Sequence, residues 1–133
     1  MIPPFNENGY LPPGVHKASL DEIVERFGRQ SEMRAAQMDS VRWLVDLARR
    51  AGVERLILNG SFVTAVLEPN DVDCALLIGA DFPKDATAQT ELEIGLPFLE
   101  IELVDRVDFD RFVNRFFATD RRYAAKGMIE VLL

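Results

Sequence analysis

The sequence has one cysteine, Cys74, and one histidine, His16. A lone cysteine excludes an intramolecular disulfide and a cysteine-based zinc site. A lone histidine excludes His-rich metal centres and weakens any Ser–His arrangement. No apolar run approaches the roughly 20 residues needed to span a bilayer, so no membrane association is expected. The opening Met1-Ile2-Pro3-Pro4-Phe5-Asn6 lacks the basic and apolar regions of a secretory signal, which makes the cytoplasm the expected compartment. Basic residues are in deficit, 15 against 22 acidic, for a net charge of −7. Such a surface repels nucleic acid unless a local basic patch or a bound divalent cation reverses the sign. General binding of duplex DNA is therefore not expected. Oxygen ligands remain, and they suit hard cations, Mg2+ or Mn2+.

What is present is material for one domain over 1–133, with 48% hydrophobic residues and enough chain for a single core. Residues 1–18 hold Pro3, Pro4, Pro12, Pro13, Gly9 and Gly14, too many breakers for a regular element. Ile2, Phe5, Tyr10, Leu11 and Val15 among them predict an extended arm laid on the body. Ser19 to Glu22 reads as a capping box, opening a short helix through Phe27 with Gly28 as a left-handed stop. Ser31 caps a longer helix to Ala51, stopped by Gly52. Its stripe of Met33, Met38, Val41, Leu44, Val45, Leu47, Ala48 and Ala51 faces a core, and Trp43 is expected to pack at the edge of that stripe.

Strands are expected at 53–59, 71–78, 98–105 and 127–132. Thr87 to Ile94 is compatible with a helix. Asp108 is expected to cap an amphipathic helix whose Phe109, Phe112, Val113, Phe116 and Phe117 fit i, i+3, i+4, i+7, i+8. The expected class is α/β (α+β in a stricter scheme): a small mixed sheet with helices mainly on one face.

The stretch Leu56 to Ile78 carries the chemistry. An apolar run ends at Gly60-Ser61, and Asp71-Val72-Asp73 opens a second one. A glycine lets backbone approach a phosphate, and a helix starting at Ser61 and extending towards Leu67 offers unpaired amides. Ser61 adds a hydroxyl, and Thr64 is a further candidate phosphate contact. Asp71 and Asp73, two apart on a strand, point to one face. Carboxylates held that close repel unless a cation neutralises them, and a third acid would complete a site for two metal ions.

Residues 60–73 resemble the nucleotidyltransferase superfamily that includes DNA polymerase β and the minimal nucleotidyltransferases. Its pattern is an apolar residue, Gly, then Gly or Ser, and, after a gap of about nine to thirteen residues, Asp-x-Asp or Asp-x-Glu. Ile2 to Gly14, Gly60 to Thr64, Thr119-Asp120-Arg121 and Lys126-Gly127 also resemble a group of small bacterial proteins of that type. The resemblance implies a nucleotidyltransferase-like fold and transfer of a nucleoside monophosphate from a nucleoside triphosphate to an acceptor hydroxyl. Gly60 and Ser61 would hold the β- and γ-phosphates, and Asp71, Asp73 and a third carboxylate would bind the metals. Glu102 is the expected third carboxylate, with Glu100 on the same strand face as its rival and Glu130 and Asp105 further off. Where such enzymes often carry another small residue after Gly-Ser, this chain has Phe62, Val63, Thr64 and Ala65.

Arg121, Arg122 and Lys126 offer a basic rim for triphosphate or acceptor, the acceptor itself staying unidentified. Cys74, pointing away from the Asp71–Asp73 face, is expected to be a buried thiol. A second reading is a non-catalytic nucleotidyltransferase-like binding protein. It leaves room for a homodimer or a protein partner, as in toxin–antitoxin pairs of the superfamily.

Overall fold

In the computed structural model, which describes all 133 residues, Ser19 caps α1 (Leu20–Phe27). Its Oγ accepts from the Glu22 amide at 3.2 Å, and Glu22 Oε1 accepts from the Ser19 amide at 3.1 Å. Gly28 ends α1 at φ −99°, not in the left-handed region. It is small for a packing reason: a Cβ there would lie 2.6 Å from Met38 Cγ. Ser31 caps α2 (Glu32–Ala51), and Gly52 closes it at φ +81°, left-handed as expected. The buried stripe runs through Met38, Val41, Leu44, Val45 and Ala48. Trp43 lies off it, exposed.

Five strands form one mixed sheet, ordered β1 (Gly14–Ala18), β5 (Gly127–Val131), β2 (Arg55–Asn59), β3 (Val72–Leu77), β4 (Leu99–Val104). β1 pairs parallel with β5, β2 antiparallel with β5 and β3, and β3 parallel with β4. The parallel β3–β4 link needs a crossover, which α3 (Ala86–Ile94) supplies. β1 lies inside the stretch expected to hold no regular element. Its donors and acceptors are met by β5, more than a hundred residues away in sequence, so local breaker density could not reveal it.

Alternation along the strands splits the core. Leu56, Leu58, Cys74, Leu76, Ile129 and Val131 face the side covered by α1, α2 and α3. Ile57, Ala75, Leu77 and Met128 face Phe109 and Phe117 on the other side. The α/β class holds, with three helices on one face and α4 (Arg106–Arg111) on the other. Asp105, not Asp108, caps α4, its side chain accepting from the Asp108 amide at 2.9 Å. A π-helical turn, Phe112–Phe116, then closes with the Phe117 amide on Phe112 O at 2.8 Å. The extra residue in that turn breaks the expected 3.6 periodicity: Phe117 is buried and Phe116 exposed. No helix is long and apolar enough to cross a membrane.

The N-terminal arm lies against the body. Ile2 and Leu11 are buried, and the Arg26 guanidinium sits 4.3 Å from the Phe5 ring centroid while donating to Pro3 O at 2.8 Å. Gly9 O accepts from the Ala65 amide at 2.9 Å, which ties the arm to the loop after β2. His16 Nε2 contacts Pro12 O at 2.6 Å, a partner its sequence position gave no hint of.

Candidate functional site

β2 ends at Asn59, and the next residue is Gly60, whose φ of +84° suits glycine and whose backbone runs close to Asp73: a Cβ here would lie 2.8 Å from Asp73 Oδ2. Both facts tie the turn after β2 to the carboxylate on β3. The short helix expected from Ser61 towards Leu67 is a single 3-10 turn, Ser61–Val63. Its cap bonds run from Val63 N to Gly60 O at 3.3 Å and from Thr64 N to Ser61 O at 3.1 Å. Neither they nor the surrounding loop bonds employ the amides of Ser61 and Phe62. Free first-turn amides are what a phosphate oxygen would accept from.

Thr64 is not available for that purpose. Its hydroxyl donates to Ser61 O at 2.6 Å and accepts from the Val66 amide at 3.2 Å, and the residue is buried. The expected phosphate contact is instead a stitch within the turn.

Parallel register sets the carboxylates. Asn59 pairs with Asp73 and Asp73 with Glu100, forming one row across β2, β3 and β4. Asp71 lies one pleat before that row. Single carboxylate oxygens of Asp71, Asp73 and Glu100 come within 4.8 Å of one another. Glu102, the expected third member, stands opposite Ala75 in the next row, about 6.7 Å along β4. It lies outside the cluster and lines, with Asp73, Glu100, Phe112 and Phe117, an adjoining cleft of about 190 Å³. The two outlying acids are committed elsewhere. Glu130 receives Arg55 Nη2 at 2.5 Å and Nε at 3.1 Å, and Asp105 caps α4.

Burial raises the Asp71 carboxyl pKa above the ordinary range, and the Glu100 charge raises it further. Burial also raises Asp73; the Asp71 charge adds to this and the Lys126 charge opposes it. Lys126 is half-buried, its own pKa lowered by burial against the pull of Asp73 and Asp120. Its charge favours the ionised Asp73, whereas Arg121 and Arg122 stand exposed on the loop before it. Burial pushes the Cys74 thiol well above its usual value, as fits a side chain within the core on the opposite face.

Sequence patterning offered no sign of Arg34, which is 2% exposed on α2. Its Nη1 donates to Phe62 O at 2.6 Å and Phe27 O at 3.1 Å, its Nη2 to Thr64 O at 2.8 Å, and its Nε to Val66 O at 3.0 Å. Ser31 Oγ donates to Leu67 O at 2.8 Å, and Gln37 Nε2 to Pro69 O at 2.6 Å. Spacing of three along α2 thus makes a polar rail that holds the loop from Phe62 to Pro69 by its carbonyls. A buried arginine without a carboxylate partner is the signal, visible only once the loop lies beside the helix. Asn59 is also buried at 1% exposure; its Nδ2 donates to Phe117 O at 3.3 Å and its Oδ1 has no partner.

A family model described as "Family of unknown function (DUF6932)" matches residues 3–132. No curated protein and no solved structure gives a match. The chain belongs to DUF6932.

Proposed function

We propose that this DUF6932 chain is a metal-dependent nucleotidyltransferase, moving a nucleoside monophosphate from a nucleoside triphosphate to an acceptor hydroxyl. The observation that carries the reading is the Asp71–Asp73–Glu100 cluster, oxygens within 4.8 Å, set beside a glycine turn with free amides. The donor set fits a hard divalent cation, Mg2+ or Mn2+, because it is all carboxylate oxygen. Such a cation supplies charge neutralisation and polarisation of phosphoryl oxygens.

The chain's own residues do the rest. Asp71, Asp73 and Glu100 would hold the cation, with Glu100 in the role expected of Glu102. Ser61 and the amides of Ser61 and Phe62 would receive phosphate oxygens. The acceptor hydroxyl oxygen forms a bond to the α-phosphorus, the bond to the bridging oxygen breaks, and pyrophosphate leaves with that electron pair. The hydroxyl proton passes to a carboxylate at the cleft, where Glu102 is free to accept it. Little covalent work falls to the protein, since such transfers rest on positioning and electrostatics.

The test incubates purified protein with Mg2+ or Mn2+ and each labelled nucleoside triphosphate, and follows label on RNA, protein and small hydroxyl acceptors. Labelled acceptor with released pyrophosphate, abolished by Asp73→Asn, is the expected result. Absence of triphosphate binding with either metal would sink the reading.

One observation favours the non-catalytic alternative. The cleft of about 190 Å³ is smaller than the roughly 300–1,000 Å³ usual for ligand pockets. A stoichiometric protein partner from the native host whose binding survives Asp71→Ala and Asp73→Ala would select it, a toxin–antitoxin-type pair included.

A further inference from the structure

The negative charge of the molecule is unevenly spread. Between Arg106 and Lys126 there are six basic side chains and three acidic ones, in a chain that is −7 overall. Arg115, Arg121 and Arg122 are exposed, and no carboxylate lies within ion-pairing distance of them. Each basic step is followed by an exposed ring: Arg115 by Phe116, 65% exposed, and Arg121-Arg122 by Tyr123, 88% exposed.

These rings are held outward at a cost to local conformation. The π turn leaves Phe116 in solvent while Phe117 enters the core. Tyr123 sits at φ +62°, a left-handed conformation that bulky side chains avoid. Asp120 enforces it: Oδ1 accepts from the Arg122 amide at 2.8 Å and the Ala124 amide at 2.9 Å, and its carbonyl accepts from the Tyr123 amide at 3.1 Å. Tyr10 of the N-terminal arm donates to Asp120 Oδ2 at 2.7 Å and pins the loop. Asparagine or glycine would fill that backbone position without strain, so packing does not account for a tyrosine.

We propose that Arg115, Phe116 and the Arg121-Arg122-Tyr123 loop form a docking surface for single-stranded RNA, leading past Lys126 to the Asp73–Glu100–Glu102 cleft. The proposal rests on the nucleotidyltransferase reading only for what happens at the cleft. Arginines take backbone phosphates, and rings stack on unpaired bases, whose faces every sequence presents. The acidic remainder of the chain turns a rigid duplex away but leaves a flexible strand free to follow the basic end. Glu102 is a free acceptor at the cleft, matched to a hydroxyl donor of an RNA terminus, and the 2′-hydroxyl is what distinguishes RNA from DNA there.

The test is fluorescence anisotropy of a short labelled single-stranded RNA with the full chain, without triphosphate or metal, over a salt series. Circular dichroism confirms that each variant is folded. Tyr123→Ala is expected to weaken binding by about five- to a hundredfold, with Tyr123→Phe restoring it. Arg121→Ala with Arg122→Ala is expected to lower the slope of log K against log salt by about 1.4. Arg42→Ala, at an exposed arginine of α2, is expected to bind RNA as the wild type does. Unchanged affinity in the loop variants, tighter binding of duplex or of an acidic peptide, or equal binding of DNA of the same sequence overturns the proposal. RNA binding without transfer keeps this surface and removes the reading above; transfer to another acceptor without RNA binding does the reverse.

Discussion

Arg34 and Asp73 show how single residues serve the candidate site from opposite sides. Arg34 places a buried charge among carbonyls of Phe62, Thr64 and Val66, so the turn bearing Ser61 is held by a side chain that never reaches the site. Arg34→Met keeps the bulk and removes the donors. Each buried carbonyl left unpaired costs about 1–3 kcal/mol, so the variant is expected to lose about 3 kcal/mol or more by urea unfolding. A loss under 1 kcal/mol would show that the rail does not hold the turn. Asp73 carries the opposite sign of effect. The Asp71 and Asp73 carboxyls have folded-state pKa values raised by burial, so the folded protein binds more protons than the unfolded one. Their contribution to stability is present below the ordinary carboxylate range and is lost as pH rises through the raised folded values. Metal-free Asp73→Asn is therefore expected to melt above wild type at pH 7, the gap closing on acidification. A gap that is reversed, or constant with pH, would contradict this. Neither residue's role is plain in the sequence to the same degree: Asp73 stands in a legible motif, while Arg34 is one of many charged residues on a long helix.

At the scale of elements, what was legible depended on how local its cause is. Ser31 and Gly52 bound α2 as expected because capping bonds reach only three or four residues. The choice between Glu100 and Glu102 was not legible, since alternation puts both on one face. Only the parallel register of β3 and β4, which sets Asp73 beside Glu100, separates them. The pattern of four phenylalanines and a valine in the last helix was readable as amphipathic, but not its π turn, which ends with Phe117 O accepting from the buried Asn59 Nδ2 on β2 at 3.3 Å. If the turn is one inserted residue, deleting the exposed Asn114 should restore i→i−4 bonding while keeping Phe117 on Asn59. The expected outcome is a folded variant with an unchanged or raised denaturation midpoint. A large drop would mean that the five residues act together in packing.

For the whole molecule, the order β1-β5-β2-β3-β4 puts Asp73 and Glu100 in one row with Asn59 across three neighbouring strands, with Asp71 one pleat before it. α1, α2 and α3 fill one face, leaving the other to α4, the π turn and the cleft. The class of fold followed from periodicity and turn chemistry. The edge strand β1 did not, because a parallel partner at the far end of the chain leaves no local mark. The same topology brings the charge of Lys126 to bear on the acidic cluster, and the proposed function depends on that cluster taking a cation. The most direct measurement is electron paramagnetic resonance of Mn2+ titrated into the protein with a non-hydrolysable nucleoside triphosphate. Bound manganese is expected in wild type, lost in Asp73→Asn and Glu100→Gln and kept in Glu102→Gln. Manganese binding that survives Asp73→Asn and Glu100→Gln would contradict the account.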